Sequence, residues 1–368
     1  MAKRPRKMED LVMLAKFRSY YAGKKVFLTG HTGFKGTWMM ALLHHIGAHV
    51  KGYALAPEDS APFHNLFTSR SITESVLADI RDKERLKNEI MSFQPDYIFH
   101  LAAQPLVLLS YEIPAETFEV NVVGTANVLE AIKALEKVCN IVVVTTDKVY
   151  DNKEHHALYK EDDRLGGYDP YSASKACTEL VVDSFRNSFF NTKDIAVHGK
   201  GVATARAGNV IGGGDWSKNR IIPDTAKALL QGKEILVRNP ASVRPWQHVL
   251  EPLFGYLLLG ARLSDEPENF SQAFNFGPLP EDHLTVKELV ELAIKTWGSG
   301  RMEVATNGAA LHEANLLKLD INKAKEKLNW QPRLDARQAI QWSIDWYKTP
   351  TERQADFTFQ QIDNYLTK

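Results

Sequence analysis

The sequence predicts an α/β protein: a doubly wound parallel sheet followed by a smaller mixed α/β lobe. Three observations carry that expectation. Short apolar runs alternate with amphipathic helical stretches through the first half of the chain, a glycine-spaced turn joins the first run to a helix, and the texture changes after about residue 200. With 368 residues, 44% of them hydrophobic, the chain is long enough to bury a large core and to form about two domains.

The elements follow in order. KKVFLT, residues 24–29, reads as a strand, and residues 37–46 run helically with Trp38, Leu42 and Ile46 on one side. Residues 49–55 form a second strand, 75–78 lead into ADIRD as a third, PDYIFHLAA contains a fourth, and 141–146 a fifth. Helical stretches such as 121–135 lie between the later strands. This alternation means βαβ units and a parallel sheet covered on both faces. Beyond residue 200, GVATARAGNVIGGGDW carries loop glycines, PDTAKALLQG is a helix with a glycine stop, and LTVKELVELAIKTW is strongly periodic. KAKEKLNWQP is a short helix closed by Trp330 and Pro332. The expected division is therefore 20–200 and 201–368, with some segments of the second part returning to the first.

Composition excludes several classes. Forty-five basic and forty-five acidic residues cancel, so nothing global marks a nucleic-acid or membrane binder. The basic start (Lys3, Arg4, Arg6, Lys7) has no apolar segment behind it and reads as a solvated tail. No apolar run approaches the roughly eighteen residues of a membrane span. Two cysteines, Cys139 and Cys177, offer neither a disulfide framework nor zinc spacing, which suits a reducing cytoplasm. The doublets His44-His45 and His155-His156 do not converge on one ion, so no metal site is expected.

GHTGFKG places Gly30, Gly33 and Gly36 directly between a strand and a helix. Glycine lets the backbone turn tightly and approach a pyrophosphate, whose charge the helix N-terminus meets. In a βαβ setting this is a Rossmann-type dinucleotide loop. The second strand ends GYALAPED: Glu58 and Asp59 come slightly late for a ribose hydroxyl, and no arginine waits for a 2′-phosphate. NAD is expected rather than NADP.

Tyr171 and Lys175 lie four residues apart, hence on one helix face, where an ammonium favours the phenolate of its neighbour. TTDKVYD, residues 145–151, ends an apolar strand in hydroxyls, an acid and a base. A turn needs none of that chemistry: the stretch either caps a helix and exposes a charge, or handles protons.

The motifs GHTGFKG, HLAAQP, TTDKVY, PYSASK and ARAGNVIGGGDW resemble the extended short-chain dehydrogenase/reductase family. GHTGFKGTW, TTDKVYDN, GGYDPYSASK, NVIGGGDW and RPWQHVLEPL are similar more narrowly to its CDP-D-glucose 4,6-dehydratase branch, over about residues 21–333. Lys148 stands where related dehydratases usually carry glutamate. The resemblance implies NAD-dependent dehydration of CDP-glucose: oxidation at C4, elimination of water across C5–C6, and hydride return to C6.

It also implies roles. Tyr171 is the base at the C4 hydroxyl, helped by Lys175 and Thr146; Asp147 is the acid and Lys148 the base of elimination. Cofactor contacts fall on Gly30, His31, Gly33, Phe34, Lys35 and Gly36, on Asp79 and Ile80, and on Ala102, Ala103 and Gln104, with Tyr171 and Lys175. Substrate contacts fall on Asn209, Arg220, Arg244 and His312; Arg206 supports the loop. Leu108 stands where the family usually has arginine. The alternatives are dehydration of another NDP-hexose, an NDP-sugar 4-epimerase, which needs no Asp147–Lys148 pair, and a catalytically silent NAD-binding scaffold. Family members pair as dimers or larger assemblies, so a homo-oligomer, dimer or tetramer, is expected.

Overall fold

The structure is a computed structural model that describes residues 8–57, 62–153, 158–304 and 317–368. Glu58, Asp59, His155, His156 and His312 lie outside the described residues. Seven strands form one parallel sheet: β1 (Lys25–Thr29), β2 (His49–Ala54), β3 (Glu74–Leu77), β4 (Tyr97–His100), β5 (Cys139–Val144), β6 (Lys200–Ala207) and β7 (Ala273–Phe276). Their order is β7-β6-β5-β4-β1-β2-β3. The chain reverses direction across the sheet beside β1, which pairs with both β2 and β4. Ligands of such sheets bind outside the carboxyl ends of the strands at that switch.

The longer helices are α1 (Met8–Tyr21), α2 (Phe34–His45), α3 (Lys83–Phe93), α4 (Gly124–Lys133), α5 (Pro170–Ser188), α6 (Ile221–Leu230), α7 (Leu250–Asp265), α8 (Val286–Trp297), α9 (Ala336–Lys348) and α10 (Thr351–Leu366). They cover both faces of the sheet, so side chains on alternate strand positions enter two separate cores. On β1, Val26 and Leu28 join one core and Phe27 the other; on β5, Val142 and Val144 oppose Ile141 and Val143. That is why these strands read as continuous apolar runs.

All five expected strands form, with ends shifted by a few residues. The difference lies after residue 200, where GVATARA is not loop but the fully buried strand β6. Its glycine is a packing requirement: a Cβ on Gly201 would lie 2.7 Å from the Asn140 side chain. With β7 it extends the sheet past β5. The helix expected over 121–135 opens with a π turn at Glu119–Val123 before α4. The periodic helix α8 starts at a capping box, Thr285 with Glu288, and stops at Gly298, whose φ of 102° favours glycine.

Candidate active site

One open cleft runs along the carboxyl ends of β1, β4 and β5, and the glycine loop forms one wall. Gly30 has φ 76°, and a Cβ there would lie 2.7 Å from the Ala102 backbone nitrogen. A Cβ on Gly36 would collide with the Gly30 carbonyl. Gly33 opens α2 without a side-chain cap, so the first-turn N–H groups face the cleft unclaimed by a capping side chain. This backbone cradle fits a pyrophosphate.

Phe34, Lys35, Asp79, Ile80, Ala102 and Ala103 line the same cleft. Asp79 is already held by Arg81, whose Nη2 is 2.6 Å from its Oδ2. The Lys35 ammonium is pushed down to about 7, chiefly by burial and further by the charges of Arg220 and Lys175, with Asp147 opposing. His31 and Gln104 sit elsewhere. His31 is buried against Gly52, with Nε2 2.7 Å from Ser75 Oγ. The Gln104 amide donates to Thr117 at 2.9 Å and accepts from the Leu106 N–H at 2.6 Å, bracing the wall behind the cleft.

The turn after β5 brings Thr146, Asp147 and Lys148 to the cleft. Asp147–Val149 is a single 3-10 turn capped by Thr146, so the capping hydroxyl is Thr146 rather than the Asp147 carboxylate. Asp147 is buried, and its Oδ1 accepts from Thr146 Oγ1 at 3.0 Å and from Lys148 Nζ at 3.2 Å. Gly208, at the end of β6, closes on its other oxygen.

The helix α5 is fixed at the facing position by Pro170 in its first turn and by Asp169, whose carboxylate accepts from the Ser172 N–H at 2.9 Å. This puts Tyr171 in the first turn and Lys175 one turn on. Burial raises the Tyr171 phenol; the hydrogen bond with Thr146 and the charge of Lys148 oppose it, Asp147 adds to it, and Arg220 opposes it. The Lys175 amine donates to the Val144 carbonyl at 2.9 Å, which turns it toward the strand. Burial lowers Lys175 to about 8, and Glu179 holds it up.

On the opposite wall, Asn209, Arg220 and Arg244 line the cleft, as does Leu108. Arg220 is pinned by Asp215, Nη1 to Oδ2 3.0 Å. Arg206 faces inward and pairs with buried Glu179 at 3.0 Å, a supporting rather than a cleft-lining place. Sequence reasoning missed Asp215 and Glu179. The signal for Glu179 was an acid one turn beyond Lys175 on the buried face of a helix. Asp215 was marked only by its place in GGGDW. Among the described residues no group of His, Cys, Asp and Glu is placed to hold a metal, and no helix is long and apolar enough to cross a membrane.

The sequence profile of the GDP-mannose 4,6 dehydratase family matches residues 27–342. The chain belongs to that family. A CDP-glucose 4,6-dehydratase of Salmonella typhimurium is 46% identical over 331 residues, covering 90% of this chain and 92% of the relative. A dTDP-glucose 4,6-dehydratase of Streptomyces antibioticus is 30% identical, over 74% of this chain and 76% of the relative. Among solved structures, an epimerase from Methanothermobacter thermautotrophicus superposes with a TM-score of 0.78 at 22% identity, covering 96% of this chain and 98% of that one. The dTDP-glucose 4,6-dehydratase of Bacillus anthracis in complex with NAD gives 0.71 at 21% identity, covering 88% and 96%. The motif-level resemblance to sugar-nucleotide dehydratases, and within them to the CDP-glucose branch, is thus matched over nearly the whole chain.

Proposed function

We propose that the protein is a hydro-lyase that converts CDP-D-glucose to CDP-4-dehydro-6-deoxy-D-glucose with a bound NAD, in deoxysugar (O-antigen type) biosynthesis in the cytoplasm. The observation that carries this reading is the Thr146–Asp147–Lys148 turn facing Tyr171, in a chain 46% identical to a CDP-glucose 4,6-dehydratase. NAD bound at the glycine loop would take a hydride from C4 of the sugar and return it to C6.

The chain's own groups handle the protons. Tyr171 accepts the C4 hydroxyl proton while Thr146 hydrogen-bonds its oxygen. The C4 ketone then acidifies C5–H. Asp147 and Lys148, 3.2 Å apart, can pass one proton between them and so present a neutral acid and a neutral amine. The amine takes the C5 proton and the acid protonates the departing C6 hydroxyl, which leaves as water. Asn209, Arg220 and Arg244 meet the substrate diphosphate, where guanidinium forks suit phosphate oxygens. Residues 20–200 serve mainly the cofactor and 201–368 mainly the nucleotide-sugar, and the active form is a homo-oligomer, dimer or tetramer.

Incubation with a panel of nucleotide-glucoses, read by mass, tests the assignment. Loss of one water from CDP-glucose with no net consumption of NAD supports it. An isomeric product of unchanged mass would instead identify an epimerase.

A further inference from the structure

We propose that Glu179 is a positioning residue for this reaction, gripping both ends of the catalytic turn and facing Lys175 with a negative charge. The helix α5 presents Lys175 and Glu179 one turn apart to the end of β5. Lys175 Nζ holds the Val144 carbonyl at 2.9 Å, and a Glu179 oxygen holds Thr145 Oγ1 at 2.5 Å. Consecutive residues of the strand tip are thus held by consecutive turns of α5, and Thr146 is the next residue. The carboxylate is 2% exposed and also accepts from Thr204 Oγ1 at 2.7 Å and from Nε and Nη2 of Arg206, both at 3.0 Å. The remaining Arg206 nitrogen donates to the Tyr150 hydroxyl at 2.9 Å. One buried ion pair therefore ties Thr145 in front of Asp147–Lys148 and Tyr150 behind them.

Packing alone does not call for such a pair, since apolar residues of similar volume serve a core at least as well. The charge has a second use. Burial by itself would raise the Glu179 carboxyl, but Arg206 holds it below the usual range, so it stays ionised beside Lys175. The other titratable groups near Lys175 are Tyr171, one turn back on its own helix, Lys35 on α2 and His100 on β4. His100 is held neutral, pushed down to about 3 by burial and by Lys175 itself. Toward the helices on its other side, α5 meets Ser110 and Asn121, which do not titrate. Glu179 is the influence that keeps Lys175 charged against its burial.

The inference rests on the reading of Tyr171 and Lys175 as the oxidation pair, and the experiment separates the two. Rates with CDP-glucose are measured from acid to alkaline pH for the wild type and for Glu179→Gln, with thermal unfolding followed in parallel. The alkaline fall in kcat should move to lower pH by about one unit, the scale of one lost charge neighbour, while KM changes little. Thr145→Val, which leaves the charge in place, should lower kcat roughly tenfold by loosening the turn, with the alkaline limb unmoved. If Glu179→Gln does not fold, Glu179→Gln with Arg206→Gln leaves neither charge unpaired and reads the same limb. An unmoved limb, or a loss of rate equal at every pH and matched by loss of folded protein, overturns the charge role; wild-type kcat in Thr145→Val overturns the gripping role. A wild-type enzyme that leaves CDP-glucose unchanged would instead overturn the functional reading on which the inference stands.

Discussion

Gly208→Ala tests whether the position of Asp147 sets the rate of elimination. The added Cβ would lie 2.5 Å from Asp147 Oδ2 and 3.1 Å from its Cγ. An unstrained contact between such atoms needs about 3.5 Å, so the carboxylate must retreat by about 1 Å. The backbone gives no relief and takes no strain, because Gly208 is not among the residues with positive φ. The movement carries Lys148 and Thr146 with it, since both bond to the other carboxylate oxygen. A misplacement of that size costs about 10²-fold in a positioned reaction, and overpacking costs about 1–3 kcal/mol of stability. Product formation from CDP-glucose should therefore fall about 10²-fold, measured by mass at temperatures well below unfolding. Single-turnover absorbance should show reduced nicotinamide forming with a smaller loss than product, because the displacement reaches Tyr171 only through the Thr146 hydroxyl. Wild-type turnover, or an equal loss in both half-reactions, would refute the reasoning.

Other outcomes follow from the same geometry. Tyr171→Phe should lower turnover by roughly 10²–10⁴ and leave cofactor binding intact, as checked by titration of the pure variant. Asp147→Asn and Lys148→Met should each accumulate reduced nicotinamide with CDP-glucose and stall before water leaves, and solvent deuterium should enter C5 most slowly in the Lys148 variant. If Asp147 and Lys148 were only structural, product would form near normally with a modest loss of stability. Glu251, buried on α7 and bonded to Tyr365 Oη and the Leu334 N–H, is raised by burial to about 7. A carboxyl raised in the folded state contributes stability that is full below its unfolded pKa of about 4.3 and is lost as pH rises through about 7. Melting temperatures of wild type and Glu251→Gln across that window should converge or cross as pH rises; parallel curves would rule this out.

Much of the fold was legible because parallel strands buried on both faces write themselves as apolar runs, and β1, β4 and β5 do so. β6 was harder to see. Its sequence mixes glycine, alanine, threonine and arginine, and its Thr204 and Arg206 side chains are buried against Glu179, which receives both. That partner is remote in sequence, so no local pattern announces it. The turn after β5 was legible as a cluster, since Thr146, Asp147 and Lys148 are adjacent in sequence and bond to one another in the fold. Its electrostatics were not. That Lys175 turns to Val144 while Lys148 and Arg220 act on Tyr171 depends on where three separate segments meet.

The edge position of β7 bears on how the protein is made. During synthesis, the ribosome releases β1 to β5 and α5 before β6, and β6 before β7, at roughly 5–20 residues per second. Until Lys200–Ala207 emerges, β5 is an open apolar edge, and Glu179 lacks the guanidinium that keeps its charge compatible with burial. The first five strands are thus left incomplete by a partner still inside the ribosome tunnel, and the turn after β5 lacks its anchor until Arg206 arrives. Slow translation just upstream of β6 would prolong a chain that exposes a strand edge and an unpaired acid, which is the interval in which a chaperone has something to recognise.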